Sequence, residues 1–190
     1  WKAKKLTHMN TKVIPQYIKN IFRDIRVLTS QNINESKNIA FYKRGNHKEF
    51  LNGLTHLINL LPFTEDNANF VNLDFLYQLT NPLYYINVGR AETQNSSDIY
   101  EAAARGLIWG ASIDVHGLAG GKISNQFYDL PNFFLTPHIS GWTNNFWSKN
   151  SVLLKYNLSK FKEANFTDMK NLLFLKGKEV RFEYPYNNPS

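Results

Sequence analysis

The chain contains no cysteine. Disulfide bridges, zinc sites built on thiolates and catalysis by a thiol nucleophile are therefore excluded. No apolar run approaches the length of about 20 residues that a membrane helix needs, since the longest, residues 57–62, has the length of a strand. The N-terminal residues lack the apolar stretch of a secretory signal. We therefore predict no membrane partner and a cytoplasmic location.

Acidic residues are also few compared with basic ones. The chain has 22 Lys and Arg residues and 15 Asp and Glu residues, which gives a net charge of +7. The basic residues are scattered, and only Lys2, Lys4 and Lys5 form a dense cluster. This pattern is typical of a solvated surface, so we predict no nucleic-acid partner. The histidines show no metal-ligand spacing with carboxylates, and no metal site is predicted.

What the chain does have is a large apolar content, with 43% hydrophobic and 15% aromatic residues among 190. That composition supports a packed core of ordinary domain size and argues against disorder. Because the sequence begins with Trp1 and not with Met, we expect it to be a piece of a longer product.

Short apolar segments alternate with amphipathic ones along the chain. Five helices are predicted. The first begins at Pro15 and has Ile25 on its apolar face, the second spans 47–54 and the third spans 73–79. The fourth runs from a cap at Ser97 to a stop at Gly106, and the fifth spans 144–164. The predicted strands are 12–14, 27–29, 39–42, 56–61, 83–88, 110–115 and 132–136. The segments 56–61 and 83–88 are nearly all apolar, which predicts strands buried on both faces.

This alternation predicts an α/β fold of the doubly wound type, with a mostly parallel sheet and right-handed crossovers. Ligands bind at the carboxyl ends of the strands in such sheets. We therefore expect one edge of the sheet to gather Pro62, Gly89, Arg90, Asp114, Val115 and His138.

Four segments at these strand ends resemble one family. They are 59–65 (NLLPFTE), 86–90 (INVGR), 110–115 (GASIDV) and 130–141 (LPNFFLTPHISG). They are similar to N-L-L-P-L-T-P, I-N-x-A-R-G, G-A-A-L-D-V and L-P-N-V-L-L-T-P-H-I-A-G of the D-isomer-specific 2-hydroxyacid dehydrogenases, close to glyoxylate/hydroxypyruvate reductases. Their order, and spacing that needs no gap, argue against chance.

The resemblance implies an NAD(P)-binding domain of Rossmann type, over 1–166, followed by a tail, 167–190. The substrate-binding domain with which such domains pair is not in the chain. The resemblance also implies an oxidoreductase that reduces small 2-keto acids such as glyoxylate or hydroxypyruvate to 2-hydroxy acids, with NAD or NADP as cofactor. It further implies a homodimer formed through the nucleotide-binding domain.

Two residues match the catalytic residues of the family. Arg90 matches the Arg that binds the substrate carboxylate, for which a planar guanidinium is suited because it can donate two parallel hydrogen bonds. His138 matches the His that exchanges the proton. The resemblance places the cofactor against Pro62, Thr64, Val88, Gly89, Arg90, Asp114, His138, Ser140 and Gly141.

The sequence departs from the family in two places. Counting from Asp114, the Glu that should hydrogen-bond the catalytic His is replaced by Ala119, and only Glu92 or Asp129 could substitute from neighbouring loops. His116 stands where the family has an aromatic residue, and we predict a packing role for it.

The second departure is the glycine-rich turn that approaches the dinucleotide phosphates. No glycine precedes Gly45, and Pro15 replaces one of the turn's glycines. A strand over 12–14 would run straight into the helix, so either the turn is deleted or residues are missing between Ile14 and Pro15. The segment 29–31 carries no acid for a ribose hydroxyl, which favours NADP or no dinucleotide.

Two functions therefore stay open. The chain is part of an active NAD(P)-dependent reductase, or it is a catalytically impaired homologue that serves as a binding or scaffolding protein.

Overall fold

The computed structural model describes residues 5–8, 21–30, 39–116, 127–141, 144–165 and 168–170. The chain divides into two compact units, 1–141 and 142–190. The predicted domain boundary at 166 stays a prediction.

The described part of the first unit is built on a seven-stranded sheet in which every pairing is parallel. The strands lie in the order β3-β2-β1-β4-β5-β6-β7. The chain therefore crosses from one side of β1 to the other after β3, which creates a topological switch point between β1 and β4. The strands are β1 (Lys5–His8), β2 (Asp24–Thr29), β3 (Ile39–Lys43), β4 (His56–Asn59), β5 (Leu83–Asn87), β6 (Ile108–Ile113) and β7 (Phe133–Leu135). The doubly wound α/β fold is confirmed.

Within the part of the first unit that the structure describes, short helices follow β3, β4 and β5. They are α1 (His47–Leu51), α2 (Leu73–Leu76) and α3 (Ser96–Ala104), with 3-10 turns at Glu65–Asn67 and Ala91–Thr93. Helix α3 begins after Asn95, whose side chain accepts hydrogen bonds from the backbone N–H groups of Ser97 and Asp98. The predicted cap at Ser97 is therefore wrong by two residues, while the stop at Gly106, with a φ of +75°, is confirmed.

The core lies where the helices cover the sheet. Along β4 and β5, fully buried residues alternate with half-buried ones, so one face of each strand is more deeply covered than the other. The prediction that these strands are buried on both faces is thus only partly correct. The largest fully buried apolar side chains are Phe50, Leu51, Leu54, Leu57, Leu76, Leu83, Tyr85, Ile99, Ile108, Ile113 and Phe127.

The first strand of the sheet differs from its prediction. β1 pairs with both β2 and β4 through residues 5–8, whereas the strand was expected at 12–14, which lies outside the described residues. Ile25, predicted on a helix, is buried in β2 instead.

The position of β1 removes one reason for expecting a deleted phosphate-binding turn, namely a strand over 12–14 that runs straight into the helix. Because β1 ends at His8, the stretch 9–23 separates it from β2, so the strand does not run directly into Pro15. That stretch contains no glycine. The junction between Ile14 and Pro15 falls outside the described residues.

The second unit contains α4 (Phe146–Lys162), in agreement with the predicted helix. Tyr156 donates a hydrogen bond to the carbonyl of Asp168, and Asn157 exchanges hydrogen bonds with the backbone of Lys170. Of the predicted apolar stripe, Leu153 and Tyr156 are half-buried and Val152, Leu158 and Phe161 are exposed. Among the helices that the structure describes, none combines the length and hydrophobicity needed to cross a bilayer.

Candidate functional site

The loops after β4, β5, β6 and β7 meet at the carboxyl edge of the sheet, which we define as residues 60–67, 88–93, 114–116 and 136–141. Backbone hydrogen bonds extend the ladder past the strands and tie these loops together. Val88 donates to the carbonyl of Asn59 at 3.3 Å, and Asp114 donates to the carbonyl of Asn87 at 2.9 Å. The edge is therefore a connected surface and not a set of independent loops.

Asp114 is the centre of this edge. It is 2% exposed, and its Oδ1 accepts hydrogen bonds from the Thr136 hydroxyl and from the Ile139 N–H at 2.9 Å. Its Oδ2 accepts from the Ser140 N–H at 3.0 Å. Burial raises the pKa of Asp114, but hydrogen bonds from Ser140, Thr136 and Ile139 outweigh burial and lower this pKa to about 2. The carboxylate is ionised at neutral pH and holds the loop after β7.

His138 lies in the loop that Asp114 holds. Its backbone N–H donates to the carbonyl of Asp114 at 3.0 Å, and its φ is +56°. A residue other than glycine in this left-handed region is uncommon and is kept there only by its surroundings. The residue is exposed. The structure thus fixes the main chain of His138 and leaves its imidazole open to a ligand.

Arg90 precedes the 3-10 turn at Ala91–Thr93 and is exposed. Its Nη1 donates to the carbonyl of Gly89 at 2.8 Å, so the guanidinium folds back on its own loop. The carbonyl of Arg90 accepts from the Thr93 hydroxyl at 2.6 Å. A Cβ added to Gly89 would lie 3.0 Å from the backbone of Leu60 and Leu61, which shows how closely the loops after β4 and β5 approach.

The other predicted cofactor contacts fall on the same edge. Pro62 and Thr64 are exposed, and the carbonyl of Pro62 accepts a hydrogen bond from Asn67 at 2.7 Å. Val88 is half-buried, whereas Ser140 and Gly141 are exposed. Asp114 and Val115 also lie at the edge but are buried.

His116 is buried, as its predicted packing role requires. Its Nε2 lies 2.6 Å from the carbonyl of Thr136 and donates to it, because a carbonyl only accepts. Its Nδ1 has no hydrogen-bond partner among the residues that the structure describes.

Neither acid that the sequence left open as a substitute for the family Glu reaches the catalytic candidate. Glu92 and Asp129 are both exposed, and within the described ranges neither has a hydrogen bond or ion pair with His138. Those ranges also hold no group of acidic, histidine or cysteine residues able to bind a metal ion.

A set of buried polar residues lies beneath the edge and was not predicted from the sequence. Asn59, Asn87 and Thr93 are 0% exposed and Gln94 is 3% exposed. They are hydrogen-bonded to one another and to Tyr85. The available signal was an Asn at the end of each of two apolar strands, where an apolar residue would continue the pattern.

Comparison with known proteins identifies the family. Residues 19–140 match the family described as D-isomer specific 2-hydroxyacid dehydrogenase, NAD binding domain. Glyoxylate/hydroxypyruvate reductase A of Photorhabdus laumondii is 32% identical over 105 residues, which cover 55% of this chain and 34% of the relative. The corresponding reductase of Klebsiella pneumoniae is 33% identical over 95 residues, covering 50% and 30%. The chain thus spans about a third of the length of these relatives.

Solved structures show the same fold. The NADPH-dependent glyoxylate/hydroxypyruvate reductase of Sinorhizobium meliloti, in complex with NADP and sulfate, superposes with a TM-score of 0.71 at 22% identity, covering 85% of this chain and 52% of that one. A putative D-isomer specific 2-hydroxyacid dehydrogenase from Polaromonas gives a TM-score of 0.77 at 17% identity, covering 88% and 53%. By the match of residues 19–140 to its NAD-binding domain, this chain belongs to the D-isomer-specific 2-hydroxyacid dehydrogenase family.

Proposed function

We propose that the chain is the nucleotide-binding part of an NAD(P)-dependent reductase of small 2-keto acids such as glyoxylate or hydroxypyruvate. The observation that carries the proposal is Asp114, which donates to the end of β5 and accepts from the backbone of His138. Through it, the loops of Arg90 and His138 belong to one hydrogen-bonded edge. The names of the relatives supply the substrate class.

The described residues fit a dinucleotide. A parallel sheet with a switch point between β1 and β4 offers a crevice beyond the carboxyl ends of its strands. The exposed residues Pro62, Thr64, Ser140 and Gly141, together with Val88 and Gly89, would hold the cofactor there. The bound cofactor supplies the hydride.

Arg90 and His138 divide the remaining work. Arg90 binds the substrate carboxylate through two parallel hydrogen bonds after its guanidinium leaves the carbonyl of Gly89. His138 donates a proton to the carbonyl oxygen while the adjacent carbon receives the hydride, so that the product is the 2-hydroxy acid. Asp114 keeps the backbone of His138 in place throughout.

A specific observation favours a second function, that of a catalytically impaired homologue kept for binding or scaffolding. Ala119 stands at the family's Glu position, and no glycine precedes Gly45. Within the described ranges no acidic side chain is hydrogen-bonded or ion-paired with His138, so the acid–histidine pair that the resemblance implies is not formed there.

Titration with NADPH and NADH, followed by protein fluorescence and by glyoxylate reduction, separates the two functions. We expect cofactor binding by the chain. In protein that also carries a substrate-binding domain, turnover should be abolished in Arg90→Ala and retained in Arg105→Ala, whose guanidinium pairs with Glu101 on α3. Binding without turnover would support the impaired homologue. An absence of binding at millimolar cofactor would contradict the proposed reductase.

The oligomeric state and the location belong to the same proposal. The family resemblance supports a homodimer, which sedimentation of the purified chain would test. A cytoplasmic location rests on the sequence alone, and fractionation of cells that express the chain would test it.

A further inference from the structure

Five side chains beneath the carboxyl edge form a hydrogen-bonded set that we call the amide network: Asn59, Tyr85, Asn87, Thr93 and Gln94. All are at most 3% exposed. Burying a polar group is unfavourable unless its hydrogen bonds are satisfied, and apolar residues of similar shape could fill the same space. The network therefore calls for an explanation other than the stability of the core.

Two asparagines of the network fix the starts of two loops. Asn59 and Asn87 are register partners at the ends of β4 and β5. The Oδ1 of Asn59 accepts from the Leu61 N–H at 3.1 Å, and the Oδ1 of Asn87 accepts from the Gly89 N–H at 3.0 Å. Each asparagine thus holds the first turn of the loop that follows its strand.

The direction of the remaining hydrogen bonds is set by Asn59. Its Nδ2 donates to the Tyr85 hydroxyl at 3.2 Å and to the Thr93 hydroxyl at 2.9 Å. Because each hydroxyl accepts a hydrogen bond from Asn59, each uses its one proton to donate a hydrogen bond to a different acceptor. Tyr85 donates to the Oε1 of Gln94 at 2.9 Å, and Thr93 donates to the carbonyl of Arg90 at 2.6 Å.

Gln94 closes the network. Its Oε1 also accepts from the Nδ2 of Asn87 at 2.7 Å. The loop after β4 is thereby connected to the loop after β5 along two routes, one through Thr93 to the carbonyl of Arg90 and one through Tyr85 and Gln94 to Asn87. The links among the five side chains lie in the buried interior, where hydrogen bonds are strong and their loss is costly, whereas the link from Thr93 to the Arg90 carbonyl is partly buried.

We propose that the amide network makes the loops after β4 and β5 move as one body, and that Thr93, Tyr85 and Gln94 are positioning residues for Arg90. The role of Arg90 at the substrate carboxylate rests on the proposed function, whereas the coupling of the loops does not.

Tyr85→Phe tests the coupling, because Tyr85 touches neither loop directly. Backbone hydrogen exchange followed by NMR should show the N–H groups of Leu61 and Gly89 each exchanging about fivefold faster, because Asn59 and Gln94 each lose one hydrogen bond to the Tyr85 hydroxyl. Tyr84→Phe is the matched control, since the hydroxyl of Tyr84 bonds to Ser112 and not to the network. It should leave both amides unchanged.

A faster exchange at only one of the two amides, or at neither, would overturn the coupling. So would an equal rise in the amides of β2, which would indicate a global loss of stability. Because this readout needs neither cofactor nor substrate, it decides the proposal even if the chain has no turnover.

The positioning of Arg90 is tested by a pair of variants. Thr93→Val removes the hydroxyl that anchors the Arg90 carbonyl and should raise the KM for glyoxylate about tenfold, with a smaller change in kcat. Thr93→Ser keeps a hydroxyl and should recover most of the loss. An unchanged KM in Thr93→Val, or an equal defect in Thr93→Ser, would contradict the positioning role. Absent turnover in otherwise unmodified protein that also carries a substrate-binding domain would instead contradict the proposed function.

Discussion

A single buried carboxylate governs the loop that carries the catalytic candidate. The side chain of Asp114 accepts hydrogen bonds from three groups of the 136–140 segment, one hydroxyl and two backbone N–H groups. An amide in its place would turn an N–H group toward at least one of those donors. The left-handed backbone of His138, which costs on the order of 1 kcal/mol, persists because this arrangement opposes its relaxation.

Replacing Asp114 with asparagine should destabilise the chain in a pH-dependent way. The pKa of Asp114 is lowered from 3.8 to about 2. The ionised carboxylate therefore makes its full contribution to the free energy of unfolding above about pH 4, and this contribution is lost as the pH falls through about 2. The difference between these two pKa values corresponds to about 2 kcal/mol of unfolding free energy. Urea unfolding should show Asp114→Asn less stable at pH 6, with the gap to the unmodified chain narrowing by about that amount toward pH 2.

The exposed Asp129 provides the control for this prediction. Asp129→Asn should follow the unmodified chain across the same pH range. A gap between Asp114→Asn and the unmodified chain that stays constant with pH would show that the carboxylate charge is not what holds the loop.

The resemblance assigned Asp114 to the cofactor, and that assignment stays a prediction. What the sequence did not indicate is that Thr136, Ile139 and Ser140 already occupy its carboxylate. These partners lie 22, 25 and 26 residues away along the chain. Periodicity describes neighbours within an element and contains no information on such distant pairs.

At the scale of the element, the start of α3 offers a sharp comparison. The side chain of Asn95 accepts from two N–H groups of the first turn, and loss of such a cap costs about 1 kcal/mol. Asn95→Ala should lower the free energy of unfolding by that amount, measured in urea. Ser97→Ala, at the position that the sequence favoured, should change it by less than about half as much. A larger loss of stability in Ser97→Ala than in Asn95→Ala would instead identify Ser97 as the cap.

The first strand shows why short elements are difficult to predict. β1 has the sequence KLTH, with a single apolar residue, whereas the segment 12–14 that was predicted in its place carries two. Central position in the sheet, between β2 and β4, defines β1 as a strand. By contrast, β4 and β5 are apolar enough to be identified from sequence, because burial on a parallel sheet requires it.

For the whole molecule, the alternation of strands and helices was sufficient to predict the parallel sheet and which loops gather at its carboxyl edge. The four motif segments fall at the carboxyl ends of β4, β5, β6 and β7, as the topology requires. The amide network could not be predicted, because it joins residues of β4, β5 and the following turn that become neighbours only when the sheet forms. Polar residues at apolar strand ends are the sequence trace that such networks leave.

The preference for one cofactor over the other should be measurable in the stability of the whole chain. The described end of β2 has Thr29 and Ser30 where an acid would bind the ribose hydroxyl of NAD and repel the extra phosphate of NADP. A ligand that binds only the folded chain at 100 times its dissociation constant stabilises it by about 2.7 kcal/mol. At equal concentrations, NADPH should therefore raise the free energy of unfolding more than NADH. Ser30→Asp should reverse that order, whereas Ser97→Asp, on an exposed turn of α3, should not. Greater stabilisation by NADH in the unmodified chain would show that the missing acid does not set the preference.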